Sequence, residues 1–264
     1  MGEVVKHMLL TIDVGNTHTV LGTWHDDELT YRWRVRTDAS QTADQARIML
    51  NSLFALDGIV PRDVEGVILA TVVPALNRLW SKVALDLCGR KALSIDSEMV
   101  GSLLNVSTYE GRIGADRIAD AIAARAHYGD PVIVVDLGTA TNIEVIDTQG
   151  RFCGGVIAPG VETSLNALIS HTALLPAIEM TDPGTAIGSS TVQAIQVGMM
   201  YGEVDRIDGL IRRIWKQLGY QTAVVATGGF GRAIATLSQT VTAVDPDLTL
   251  RGLHAIYKAV SPLE

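Results

Sequence analysis

Two segments of this chain repeat one another, and that repeat constrains the fold more than any other feature. Leu9-Leu-Thr-Ile-Asp-Val-Gly-Asn-Thr17 is echoed by Val132-Ile-Val-Val-Asp-Leu-Gly-Thr-Ala-Thr141, each an apolar run ending in Asp-x-Gly with threonine close behind. The two aspartates, Asp13 and Asp136, stand close to half the chain apart. Self-similarity at that spacing is the mark of a duplicated supersecondary unit. After each glycine the chain continues as a second β-rich segment, 17–24 and 141–147, rather than as an amphipathic helix, so each motif reads as a hairpin.

Helices and strands alternate beyond each hairpin. Helical periodicity covers Ala43–Leu56 and Leu76–Leu87, with an apolar strand over Val67–Val72 between them. In the second half, 164–170 and 192–217 read as helices, the latter glycine-rich inside, and Thr222–Ala226 as a strand broken by Thr227-Gly-Gly229. An alanine-rich helix over Gly114–His127 joins the halves. The pattern is that of an α/β protein with two similar domains, 1–127 and 128–264, around a cleft.

Composition removes several function classes. A hydrophobic fraction of 47% with 19% charged residues describes a chain that can bury a core. No apolar run approaches the roughly 20 residues that span a bilayer, and Glu3, Lys6 and His7 spoil a signal-peptide reading of the N-terminus. A cytoplasmic protein without membrane partners is expected. The net charge of −8 argues against nucleic acid as a partner. Cys88 and Cys153 lie far apart without a CxxC or Cys/His cluster, so both read as buried filler rather than as disulfide or zinc ligands.

Three motifs carry candidate chemistry. Asp13-Val-Gly-Asn-Thr17 sets a carboxylate suited to Mg²⁺ at a strand end and follows it with a glycine that lets phosphate approach backbone N–H groups. Asn16, Thr17 and Thr19 add donors. Asp136-Leu-Gly-Thr139-Ala-Thr141 repeats the device, and two such hairpins could hold a triphosphate with its cation. One Asp-x-Gly alone is an ordinary turn; two at strand ends point to a nucleotide. Neither a Walker A sequence nor a strand-linked GxGxxG occurs. Gly114-Ala-Asp116-Arg117 opens the joining helix, where anions are favoured. There Asp116 could take a hydroxyl proton and Arg117 could clamp a carboxylate, or Asp116 could merely cap the helix with Arg117 solvated. Gly154-Gly155-Val-Ile-Ala-Pro159-Gly160 suggests a tight loop. The six histidines show no metal-ligand spacing, and His18 reads as a bystander to catalysis.

Taken in order, these motifs resemble type III pantothenate kinase nearly from end to end. Asp13-Val-Gly-Asn-Thr-His18, Gly114–Arg117, Asp136–Thr141 and Gly154–Gly160 are followed by Thr172-Ala-Leu-Leu-Pro176, Ile187-Gly188 with Thr191, Thr227-Gly-Gly229 and Asp247-Leu-Thr-Leu-Arg-Gly252. The resemblance implies the duplicated actin-like ATPase (ribonuclease H-like) fold. It implies ATP phosphates held by Asp13, Val14, Gly15, Asn16, Thr17, His18, Thr19 and Val20 and by Thr139, with Asp13 on the Mg²⁺ of Mg·ATP. It further implies pantothenate bound by Gly114, Ala115, Asp116, Arg117 and Thr191, with Asp116 as base. Asp136 would help hold a monovalent cation, K⁺ or NH₄⁺, and the chain would form a homodimer with Thr191 near its interface. Departures from the family pattern fall at Ser107 and Glu110, where tyrosine and proline are common, at Ser189, where lysine is common, and at Asn142; Tyr109 could substitute for the tyrosine. Two other readings stand beside this one: a nucleotide-binding regulatory module without turnover, and a kinase for another small hydroxyl acceptor.

Overall fold

The computed structural model describes residues 8–95, 101, 103–107, 109–170 and 178–261. The stretch Thr172–Pro176 lies outside them.

Both hairpins form. In the first, β1 (Met8–Val14) pairs antiparallel with β2 (His18–His25), and β3 (Glu28–Arg36) extends the meander. Helix α1 (Ala43–Leu56) then leads to β4 (Val64–Thr71), and α2 (Pro74–Cys88) to the short β5 (Leu93–Ser94). A capping box opens α1: Thr42 Oγ1 accepts from the Gln45 N–H at 3.3 Å, and Gln45 Oε1 accepts from the Thr42 N–H at 2.8 Å. Such caps stabilise a helix by about 1 kcal/mol. Pro74 starts α2, where its missing N–H is harmless.

After α3 (Ala115–Tyr128) the scheme repeats. Strands β6 (Val132–Leu137), β7 (Ala140–Ile146) and β8 (Phe152–Pro159) form the second meander, followed by α4 (Val161–Ser170). Helix α5 (Thr191–Gln196) runs through a π-helical turn, Val197–Tyr201, into α6 (Gly202–Leu218). Then come β9 (Ala223–Thr227), α7 (Gly231–Leu237), β10 (Ala243–Val244) and α8 (Leu248–Val260). The strand orders are β3-β2-β1-β4-β5 and β8-β7-β6-β9-β10, with β4 parallel to β1 and β9 parallel to β6. One plan is built twice, which is what the repeat required.

Each sheet carries its own core. Leu10, Ile12, Val14, Leu21, Val67 and Leu69 pack with Leu50 and Phe54 of α1 and Trp80 and Val83 of α2. Ile133, Val135, Ile143, Val224 and Ala226 pack with Met200, Val204, Ile207 and Ile211 around the π turn and α6. Burying a side chain of this size stabilises by about 1.5–3 kcal/mol.

Two compact units result. The first takes the chain up to Asn105, Glu110–Ala123 and Leu248 onward; the second takes Val106–Tyr109 and Ala124–Asp247. They differ from the halves 1–127 and 128–264 chiefly at the C-terminal helix. Helix α8 buries Leu248, Leu250, Leu253 and Ile256 and packs on β1, β2 and β4 of the first sheet. His254 stacks on Trp24 at 4.4 Å, and its Nε2 bonds the Asp26 carbonyl at 2.7 Å. An amphipathic helix buries its apolar stripe wherever a sheet face is open, regardless of sequence distance.

Two local expectations are corrected. The glycine-rich stretch 154–159 is not a tight loop but most of β8, an edge strand paired with β7. Edge position is what permits Pro159 at its end. Cys153 is exposed, because the two-residue period of β8 turns it outward, while Cys88 is buried as expected.

Candidate active site

In the first unit, the β1–β2 turn is closed by the Gly15 N–H donating to the His18 carbonyl at 3.0 Å. Asp13 is the penultimate residue of β1, half-buried, opposite Val20 on β2 and Ala70 on β4. Val14 and Thr19 are buried, Asn16 is exposed, and Thr17 and His18 are intermediate. The turn is braced on its β3 side: the Thr37 N–H donates to the Thr17 carbonyl at 2.9 Å, the Thr19 and Thr37 hydroxyls lie 2.9 Å apart, and His18 Nδ1 meets Arg34 at 2.9 Å. A small, braced turn behind Asp13 is what the Asp-x-Gly pattern predicts.

The end of β4 brings this turn together with the Gly114–Arg117 motif. The Val72 N–H donates to the Val14 carbonyl at 3.1 Å, and Val72 Cγ1 lies 3.7 Å from where a Cβ on Gly114 would stand. That Cβ would also collide with Asp116 Oδ1, so the missing side chain of Gly114 leaves the space the carboxylate occupies. Asp116 sits in the first turn of α3, and its Oδ1 accepts the Arg117 backbone N–H at 2.8 Å. Burial pushes the Asp116 carboxyl above the usual aspartate range, against the opposing pull of that N–H and of the Arg117 guanidinium. Arg117 is only 7% exposed. A solvated arginine beside a plain helix cap is therefore ruled out. What stands at the start of α3 is a carboxylate with raised proton affinity next to a buried guanidinium.

The second unit holds the matching aspartate. Asp136 is penultimate on β6, opposite Asn142 on β7 and Thr227 on β9. The loop after β9 lies against it: Gly228, at φ 83°, would place a Cβ 2.5 Å from Asp136 Oδ1 and 2.6 Å from the Leu137 carbonyl oxygen. Only glycine suits both that conformation and that approach. Thr139 is exposed in the β6–β7 turn, and Thr191 is the exposed first residue of α5, behind the Ser190 cap. At Ser189, both the N–H and the hydroxyl donate to Gln193 Oε1 at 2.8 Å. Tyr109 packs edge-on against Phe152 with ring centroids 5.4 Å apart.

Sequence reasoning missed two contributors. Thr71–Val73 forms a turn in which the Thr71 hydroxyl bonds the Val73 backbone, and it is this turn that links the hairpin to Gly114. Gly228 stands in the sequence within Thr227-Gly-Gly229, a breaker cluster and one of the motifs in family order, but nothing there signals its contact with Asp136. Its positive φ has no sequence signal beyond the Gly-Gly pair itself.

Among the described residues no group of three or more His, Cys, Asp or Glu could hold a metal ion. The donors on offer, Asp13 and Asp136, are single hard carboxylates at strand ends. That suits Mg²⁺, which commonly takes one or two carboxylates and completes its shell with substrate phosphates and water, and it does not suit a protein cage.

A sequence model of type III pantothenate kinase matches residues 9–213, a stretch that holds Asp13, Asp116, Arg117, Asp136, Thr139 and Thr191. The chain belongs to the type III pantothenate kinase family. A type III pantothenate kinase of Brevibacillus brevis is 42% identical over 251 residues, covering 95% of this chain and 98% of the relative. One from Roseiflexus is 40% identical over 252 residues, with the same coverage. Among solved structures, (R)-2-hydroxyglutaryl-CoA dehydratase component A from Acidaminococcus fermentans superposes with a TM-score of 0.56 at 14% identity, over 95% of this chain and 97% of that one. That likeness concerns the fold alone, the duplicated α/β fold of actin-like ATPases. Ser107 and Glu110, on the approach to Gly114, are both exposed, and neither lies within the core of either sheet.

Proposed function

We infer that this chain transfers the γ-phosphoryl group of ATP to the primary hydroxyl of pantothenate, the opening step of coenzyme A synthesis. The observation that carries this reading is the meeting, around Val72, of the Asp13 hairpin with the raised-pKa Asp116 and buried Arg117. A phosphate turn beside a base and a carboxylate receptor is the equipment of a kinase whose acceptor is a hydroxy acid.

On this reading Asp13 to Val20 and Thr139 hold the ATP phosphates, Gly114 to Arg117 and Thr191 hold pantothenate, and Asp13 carries the Mg²⁺. Mg²⁺ bound with ATP supplies neutralisation of phosphate charge. The Arg117 guanidinium takes the pantothenate carboxylate in bidentate fashion, which fixes the far end of the acceptor. Asp116 accepts the proton of the acceptor hydroxyl as its oxygen bonds the γ-phosphorus and the bond from that phosphorus to the β–γ bridging oxygen breaks, leaving ADP. Because phosphoryl transfer passes through a loose transition state, positioning and charge neutralisation contribute most of the rate, and proton transfer comes late. Asp136, beside Gly228, would contribute to a K⁺ or NH₄⁺ site, and the protein would act as a homodimer.

Purified protein incubated with ATP, Mg²⁺, K⁺ and pantothenate should yield phosphopantothenate and ADP in equal amounts. Mg·ATP binding without turnover of pantothenate would overturn the reading in favour of a regulatory module. Turnover with a different hydroxyl acceptor only would keep the kinase and replace the substrate. Na⁺ in place of K⁺ tests the cation, and sedimentation of the purified chain tests the dimer.

A further inference from the structure

The second hairpin is held in part by residues outside every motif: Thr163, Glu203 and Arg206. Thr141, 2% exposed on β7, donates its hydroxyl to Glu203 Oε1 at 2.6 Å. Glu203, 5% exposed, lies on α6 directly behind the π turn, and its other oxygen is ion-paired with Arg206 one helical turn on. Arg206 in turn donates to the Pro159 carbonyl at 2.8 Å. The next residue, Gly160, donates its N–H to the Thr139 carbonyl at 3.0 Å, and the Thr163 hydroxyl donates to the same carbonyl at 2.6 Å. The frame therefore closes on both ends of the Thr139–Thr141 turn, from α6 through the end of β8 and the start of α4.

We propose that Glu203 and Arg206 are positioning residues for nucleotide binding, acting through Thr141 and through Pro159–Gly160 to fix the Thr139 turn. This rests on the reading that the turn receives ATP phosphate. A buried carboxylate needs its charge compensated, and here the compensation is met by groups that tie three elements to one turn. A carboxylate placed only for helix stability would pair with Arg206 alone at i,i+3 and would have no need of Thr141, which lies 62 residues away in sequence. The π turn matters as well, because one extra residue in the helix rotates everything after it and so sets which α6 side chain faces Thr141.

The same helix supplies an internal control. Asp208 accepts from the Ser238 hydroxyl at 2.5 Å, the Gln239 N–H at 2.9 Å and the Thr240 hydroxyl at 2.7 Å. It anchors the α7–β10 connection and has no bond to the hairpin. Thr141→Val, Glu203→Gln, Arg206→Lys and Asp208→Asn are compared with wild type for Mg·ADP dissociation constant by calorimetry, for both Michaelis constants, and for Tm. Thr141→Val and Glu203→Gln should each weaken Mg·ADP binding and raise the ATP KM about tenfold, approaching a hundredfold loss in kcat/KM if the turn shifts by an ångström. The pantothenate KM should stay within about twofold, and the double variant should lose less than the product of the singles. Asp208→Asn should lower Tm while leaving all three constants unchanged. If Thr141→Val and Glu203→Gln lower Tm like Asp208→Asn but leave nucleotide binding and kcat alone, Glu203 is structural and the proposal fails. Should Glu203→Gln not fold, Thr141→Val and Arg206→Lys decide by the same constants. Mg·ADP binding by wild type without pantothenate turnover would count against the substrate assignment alone, since the dissociation constants test the frame without any acceptor.

Discussion

Replacing Asp116 by asparagine should move activity and stability in opposite directions. The carboxylate is half-buried in the first turn of α3, and desolvation raises its pKa. In the unfolded chain it titrates near the ordinary aspartate value of about 3.9. A folded pKa above the unfolded one means that the native state favours the neutral acid. The stabilising effect of protonation is thus fully present below about pH 3.9 and is lost as pH rises through the folded value. At neutral pH wild type keeps a buried charge that asparagine lacks, while the amide oxygen can still accept the Arg117 N–H. Asp116→Asn should therefore show a higher Tm at pH 7, and the gap should narrow as the buffer is made acidic. Turnover should fall about 10²–10⁴-fold, the range for a lost general base, or about 3–5 kcal/mol in activation free energy. In wild type the acidic limb of kcat/KM should lie above the ordinary aspartate range. Calorimetric melts between pH 4.5 and 7.5 with steady-state kinetics at the same pH values test both halves. Near-wild-type kcat would remove Asp116 from the chemistry, and a lower Tm at neutral pH with no pH dependence would refute the desolvation argument.

Arg117→Lys keeps the charge but loses the planar fork, so the pantothenate KM should rise about tenfold to a hundredfold while the ATP KM barely moves; an effect confined to ATP would relocate the acceptor. Gly228→Ala puts a Cβ against Asp136 and Leu137 at φ 83°, which costs about 1–2 kcal/mol for the left-handed backbone before any clash. Both Tm and Mg·ADP affinity should drop, and unchanged melting would mean that the loop moves away freely. Asp136→Ala should reduce the response of kcat to K⁺; if wild type never responds to a monovalent cation, that role for Asp136 is wrong.

Much of this protein was legible because its signals are local. An apolar run ending in Asp-x-Gly specifies a strand and a tight turn by sterics alone, and two copies of it at Asp13 and Asp136 announced the duplication that the matching strand orders bear out. Helix α1 was readable to its ends from periodicity, while the Thr42/Gln45 box that caps it came from the structure. The motif order carried the family. What the sequence could not convey are contacts whose partners are distant along the chain and whose residue types have ordinary uses elsewhere. Gly154–Pro159 reads as a turn by composition, and only pairing with β7 makes it a strand. Helix α8 returns to the first sheet because an apolar face there lacks a cover, not because of any feature of Leu248–Val260 read alone. The raised pKa of Asp116 comes from burial, in a space that the missing side chain of Gly114 leaves open, and the Thr141–Glu203 bond depends on a π turn that rotates α6. Propensity and pattern act over a few residues, whereas desolvation and hydrogen-bond closure act through space, so they are fixed only once the sheets have assembled and each polar group must find a partner.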